Sequence, residues 1–355
     1  MRSLIHHLSI SSRRKLTSIL LAVAIFASLS VLLALVLGRP VINGVMNAII
    51  VGTGVGLFEQ FYVQSGRGRW LRSMHPLKSI LIYTLLVVAI FLLSLLLIRL
   101  IRWDWTSLPW IYRHFPIVLP IVIAFSVVGI VVMRVAHFIG IETLFHLMIG
   151  TYHRPVVEEK VLMFLDINDS TALTARLGAI ETKSFLGKFL FDLSAPITNN
   201  GGDIYLYKGD GLIALWAWEE AVSRGNILQA IDAVFAAVHQ ERAAYLEQFG
   251  VLPAFRIGVH GGEVVVSEQG DTKRAIGIYG NTINIAARME EAAKAHGVAC
   301  VISGDVAKAL PGSPARLVPI GHERVRGILT EIPIFEYRVA RDAAPPAPGS
   351  SAISA

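Results

Sequence analysis

Cysteine is nearly absent: Cys300 is the single thiol in 355 residues. No internal disulfide can form, which suits a reducing cytosol. Cys300 sits in the apolar run from Val298 to Ile302, where a buried structural thiol is expected. Charge is scarce too, at 16% of residues against 54% hydrophobic. That balance excludes an ordinary soluble protein. The shortage is local. Residues 16–135 are almost continuously apolar, whereas 155–340 have globular composition. The 32 basic residues outnumber the 26 acidic ones by six, and much of that excess flanks the apolar stretches. It reads as membrane topology, so nucleic acid is not an expected partner. Long polar segments between the apolar stretches are missing, which leaves no room there for a large soluble ligand-binding domain. With no internal repeat, a transporter is disfavoured.

Four stretches, near 17–37, 41–62, 79–99 and 115–135, reach the length of about 20 residues that a spanning helix needs. Arg2, Arg13, Arg14 and Lys15 precede the first; Arg67, Arg69, Arg72 and Lys78 lie between the second and third. The positive-inside rule places both clusters, and everything after the fourth span, in the cytosol. Trp103, Trp105, Trp110 and Tyr112 read as an interfacial aromatic belt. Gly52 and Gly56 suit close helix packing. Asn43, Asn47 and Glu59 are polar positions in or beside the second span, with Glu59 expected to reach water near its cytosolic end. Residues 1–135 are therefore read as a four-helix membrane domain and 136–156 as a helical cytosolic linker. A catalytic domain over 157–340 and a disordered tail over 341–355 complete the chain.

The most informative stretch is Val161 to Thr171, VLMFLDINDST. A continuous apolar run reads as a buried strand, and it ends on Asp166. An acid there is costly unless a cation meets it. Small polar residues follow, and main-chain N–H groups at such a strand-to-helix turn suit phosphate. A second acid, Asp210, stands in Gly209-Asp210-Gly211, a hairpin signal in which glycine permits close approach. Two carboxylates plus substrate phosphates are the usual way of holding Mg²⁺. Each acid alone also fits an ordinary strand end or turn. Farther on, Asn284 and Arg288 are four apart on one helical face, beside the slim Ala286 and Ala287. An amide and a guanidinium so placed suit a ribose and a phosphoryl oxygen. The elements expected around these residues are one long helix over about 219–249, paired strands 255–260 and 263–267 turning at Gly261-Gly262, and two C-terminal strands. They make an α+β domain: a ferredoxin-like, mainly antiparallel sheet with helices packed on it.

Four segments, Phe164 to Ile167 with Ser170 and Thr171, Tyr207 to Gly211, Ile257 to Val264 and Tyr279 to Arg288, occur in an order and spacing that resembles the class III nucleotidyl cyclases. The four apolar stretches joined through Tyr152-His-Arg-Pro-Val are similar to a group of bacterial membrane-bound adenylate cyclases. The resemblance implies a homodimer in the bacterial inner membrane, with catalytic sites between two copies and ATP converted to cyclic AMP. It implies two Mg²⁺ or Mn²⁺ held by Asp166, Asp210 and the main chain of Ile167. Asn284 and Arg288 would come from the other copy as catalytic residues. Asn168, Asp169, Ser170, Thr171 and Gly209 would help hold the triphosphate, and Arg326 would meet the phosphates. The family's base-selecting positions fall on Leu206 and Gly277, which lack the usual side chains; Lys208 lies two residues beyond Leu206. The sequence does not name the signal; the short outer loops leave a stimulus acting within the membrane, a ligand or a protein, open. Gly201-Gly202-Asp203-Ile204 is similar to the start of a diguanylate cyclase signature, but the acid-Phe end is missing and the helix carrying Asn284 and Arg288 is foreign to that family.

Overall fold

The computed structural model describes residues 10–36, 38, 41–63, 68, 70–71, 74–102, 108–139, 149–272, 274–311, 315–324 and 331–339. The chain divides into two compact units, Met1–Ile149 and Gly150–Ala355.

The first unit is helical. Helix α1 spans Ile10–Val36, α2 Val41–Leu57, α3 Pro76–Arg102 and α4 Leu108–Ile139. A π-helical turn, Phe58–Val63, continues α2. Each expected apolar stretch falls on one of these elements. Among the described residues, Gly44–Val63 and Leu77–Ile98 are long and apolar enough to cross a membrane, while Phe26–Val36 and Phe115–Val131 are shorter. Glycine sets the α1–α2 contact. A Cβ at Gly52 would lie 2.6 Å from the Val23 Cα, and one at Gly44 2.7 Å from the Ser30 carbonyl. Glu59 is buried, contrary to the expectation of water access, because the Tyr83 hydroxyl donates to its Oε2 at 2.9 Å. Ser94 Oγ likewise donates to Asn47 Oδ1 at 2.6 Å, so both polar groups find partners on α3.

The second unit is built on an eight-stranded sheet. Its strands are β1 Val156–Ile167, β2 Asp203–Lys208, β3 Gly211–Ala217, β4 Phe255–Gln269, β5 Ala275–Tyr279, β6 Cys300–Ser303, β7 Leu317–Glu323 and β8 Ile332–Tyr337. Their order is β2-β3-β1-β4-β6-β8-β7, with β5 paired to β4. The sheet is mixed: β4 and β6 run parallel, and the other pairs are antiparallel. Its helices are α5 Ser170–Leu177, α6 Ala179–Asn199, α7 Trp218–Val222, α8 Asn226–Gln240, α9 Arg242–Phe249, α10 Asn281–His296 and α11 Gly304–Ala309.

Alternation along β1 explains the layers. Val161, Met163, Leu165 and Ile167 enter a large core with Phe185, Phe189, Val234, Phe235 and Tyr245 from α6, α8 and α9. Leu162 and Phe164 point to the opposite face, where Ala286 of α10 joins them. Asp166 continues that second series.

Three expectations need correction. The segment 219–249 is three helices, because Gly225 adopts φ 63° and Glu241 leaves helical geometry at φ −84°, ψ 4°. Gly261 and Gly262 do not turn the chain: both lie inside the continuous strand β4, opposite Val161 and Lys160. They are small because Trp218 and Thr282 press on them; a Cβ at Gly261 would sit 2.6 Å from the Trp218 ring. Residue 156 belongs to β1 rather than to a linker. Of the expected helical linker over 136–156, residues 140–148 lie outside the described residues, as do Arg326 and the tail over 341–355.

Backbone meets backbone where α10 crosses β4. A Cβ at Gly258 would fall 2.1 Å from the Glu290 amide nitrogen. Gly258→Ala is therefore expected to destabilise the protein by about 1–3 kcal/mol through forced separation of α10 from the sheet. Chemical denaturation followed by tryptophan fluorescence checks this; an unchanged midpoint would contradict the close contact.

Candidate active site

Strand pairing brings the two expected acids together. Leu165 pairs with Leu212, so Asp166 lies where the β2–β3 hairpin turns. Gly211 permits the approach: a Cβ there would meet the Leu165 carbonyl oxygen at 2.2 Å and Asp166 Oδ1 at 2.8 Å. Gly209, on the other side of Asp210, takes φ 62°, which favours glycine. Burial pushes the Asp166 carboxyl up to about 6. The Asp210 charge is the next cause, followed by Glu290 and a hydrogen bond to Asp210; Arg256 opposes the rise. Two half-buried carboxyl groups in mutual repulsion, with an arginine that only partly compensates, are suited to a divalent cation. Among the described residues no cluster of three or more His, Cys, Asp or Glu side chains could hold a metal.

The turn after Asp166 is equally constrained. Ile167 ends β1 with its side chain in the core, leaving only its main chain for a ligand. The Asn168 amide donates to the Ala254 carbonyl at 2.7 Å, while Asn168 Oδ1 is buried without a hydrogen-bond partner among the described residues. Asp169 takes φ 52°, the only non-glycine left-handed residue among those described. That conformation costs on the order of 1 kcal/mol and tends to be kept where function needs it. It swings the chain into α5, whose first turn holds Ser170 and exposed Thr171.

Asn284 and Arg288 lie on the outer side of α10. Both are exposed, and Arg288 pairs with Glu291. Among the described residues neither makes a hydrogen bond or ion pair with Asp166 or Asp210. Glu290, two residues beyond Arg288 and so on roughly the opposite side of the helix, turns inward. The structure thus unites the two acids but leaves the amide and guanidinium facing away from the chain's own sheet.

At the expected base-selecting positions, Leu206 and Lys208 are exposed on β2. A bulge between Ile204 and Leu206 leaves Tyr205 unpaired, and its hydroxyl accepts the Ile278 N–H at 3.3 Å. That bond ties β2 to β5, the strand of Gly277. Gly277 is buried, and Gln269 fills the space of its missing side chain; a Cβ there would meet Gln269 Oε1 at 2.7 Å. Arg324 pairs with Glu331 at 3.2 Å. Sequence reasoning missed Arg256 and Glu290, because only the strand register and the seating of α10 show that they meet. His260 is buried against Ser303, 2.7 Å from its Oγ, and burial pushes it down to about 4, so it is neutral near pH 7.

Comparisons with known proteins bear on the family and the fold. The family described as adenylate and guanylate cyclase catalytic domain matches residues 154–337. The chain belongs to that family. It is similar to adenylate cyclase 2 of Rhizobium meliloti, at 30% identity over 56% of this chain and 55% of that protein. It is also similar to an adenylate cyclase of Anabaena cylindrica, at 30% identity over 50% of this chain and 36% of that one. The chain therefore spans about half, or less, of the length of these relatives. Its fold is similar to that of a bacterial light-regulated adenylyl cyclase, with a TM-score of 0.54 at 18% identity over 64% of this chain and 65% of that one.

The raised Asp166 carboxyl has a consequence in the metal-free protein. Between the ordinary value of 3.8 and about 6, the folded state holds more protons than the unfolded state. Stability should therefore fall as pH rises through that window. Asp210→Asn removes the second cause of the shift and should flatten the fall, leaving burial and Glu290 opposed by Arg256. Melting temperature against pH in chelator reads this; an unaltered slope would show that Asp210 does not act on Asp166.

Proposed function

We propose that this protein is a membrane-bound adenylate cyclase. The observation that carries the reading is the pair Asp166 and Asp210, brought together at the end of β1 inside a cyclase catalytic domain. That relatives are named adenylate cyclases supports ATP rather than GTP as the substrate of this chain.

The chemistry assigns a role to each group. Asp166, Asp210 and the Ile167 main chain would hold two divalent cations, Mg²⁺ or Mn²⁺, which when bound would supply acidification of the ribose 3′-hydroxyl and neutralisation of the triphosphate. The 3′-oxygen attacks the α-phosphorus in line, its proton passes to solvent, and the bond to the bridging oxygen breaks to release pyrophosphate. The turn from Asn168 to Thr171, with Gly209, receives the triphosphate through main-chain N–H groups. Arg326 meets the phosphates. Leu206, Lys208 and Gly277 border the base. Asn284 of a second copy orients the ribose, and its Arg288 stabilises charge on the phosphoryl oxygens. The outward direction of both side chains supports this division between two copies. Catalysis is then mainly positioning and charge neutralisation.

Residues 1–135 form the membrane domain, with four spans and the N-terminus in the cytosol. The two helices of spanning length support the anchoring role, as does the basic charge around them. A ligand or protein acting within the membrane is the proposed stimulus.

Membranes containing the full chain, supplied with Mn²⁺ and either ATP or GTP, test the reading. Cyclic AMP from ATP is expected, and Asp210→Asn should lower it by about a hundredfold or more. Cyclic GMP alone would reassign the base. Neither product from folded, dimeric protein would point to a nucleotide-binding receptor with a cyclase-like dimerisation domain.

A further inference from the structure

Arg256 stands directly opposite Asp166 in the β1–β4 register. Opposed residues in an antiparallel pair share a face, with Cβ atoms about 5 Å apart. An arginine there would ordinarily close onto the aspartate and occupy its lone pairs. The structure shows another partner. Arg256 Nε donates to Glu290 Oε1 at 2.9 Å, and the two side chains are only 11% and 16% exposed. Among the described residues Arg256 makes no ion pair with Asp166. Glu290 is fixed by its backbone, since its amide nitrogen rests on Gly258 two residues along β4. A shielded ion pair of this kind is weak evidence for stability, because desolvation offsets much of its attraction. Its place beside the acid suggests a different use.

We propose that Glu290 holds the Arg256 guanidinium off Asp166 and so keeps that carboxylate open to a divalent cation. The proposal rests on the metal site assigned under Proposed function. Glu290 is a positioning residue: it acts on the cation through Arg256. The charges of Glu290 and Arg256 reach Asp166 in opposite senses, as such a balance requires. Without Glu290, Arg256 turns to its strand neighbour and competes with the metal. Without both, Asp166 is again free.

Mn²⁺ binding to the full chain in detergent, read from the electron paramagnetic resonance of free Mn²⁺ without nucleotide, tests this apart from turnover. Glu290→Gln should weaken binding by about tenfold or more, and the double variant Arg256→Gln/Glu290→Gln should return to within about threefold of the parent. Binding by Glu290→Gln equal to the parent, or a double variant as weak as Glu290→Gln, would overturn the proposal. Melting temperatures accompany each variant. If Glu290→Gln does not fold, Arg256→Gln alone decides: it should bind Mn²⁺ at least as tightly as the parent, and weaker binding overturns the proposal. Parent binding that survives Asp210→Asn would instead overturn the metal site, and the proposal with it.

Discussion

Two carboxyl groups held side by side repel each other, and a fold that forces them together must supply positive charge or shed ionisation. Asp166 and Asp210 are in that position because β1 and β3 are paired up to the hairpin and Gly211 leaves no side chain between them. Asp169 takes a left-handed turn so that α5 can begin immediately after the strand. Gly209 and Gly211 bracket the second acid where a Cβ would be strained or would clash. Burial first, and the neighbouring Asp210 charge second, raise the Asp166 carboxyl in the absence of a cation.

Helix α10 links that charge problem to assembly. Its inner side rests on β4 and sends Glu290 toward Arg256. Its outer side presents Asn284 and Arg288 away from the chain's own acids. A single chain thus holds both halves of the proposed site but points them in different directions. A twofold pair of copies can bring one chain's acids to the other's α10, and symmetry then makes two equivalent sites.

The features legible in the sequence were those carried by local patterns. The apolar run into Asp166 read as a strand, the Gly-Asp-Gly turn read as a hairpin, and the stretch after Gly280 read as a helix; each has that form. The parallel β4–β6 pair was not legible, because parallel partners far apart in sequence leave no local signal. Gly261-Gly262 misled for a physical reason. Glycine marks a turn in most sequences, but here it admits Trp218 and Thr282 against a straight strand. Glu59 misled because Tyr83, 24 residues on, supplies the partner that water was expected to supply. The Arg256–Glu290 pair needed both the strand register and the seating of α10, and neither can be read from one chain segment.

The claim that the site is divided between two copies is tested most directly by complementation. Asp210→Asn and Arg288→Ala proteins would be produced separately and together, and cyclic AMP measured in the membranes. Each alone should be inactive. Mixed at equal amounts, half of the dimers are hybrids, and each hybrid keeps one intact site of two, so roughly a quarter of the parent activity should return. No recovery from hybrids shown to form would contradict a site shared between two copies.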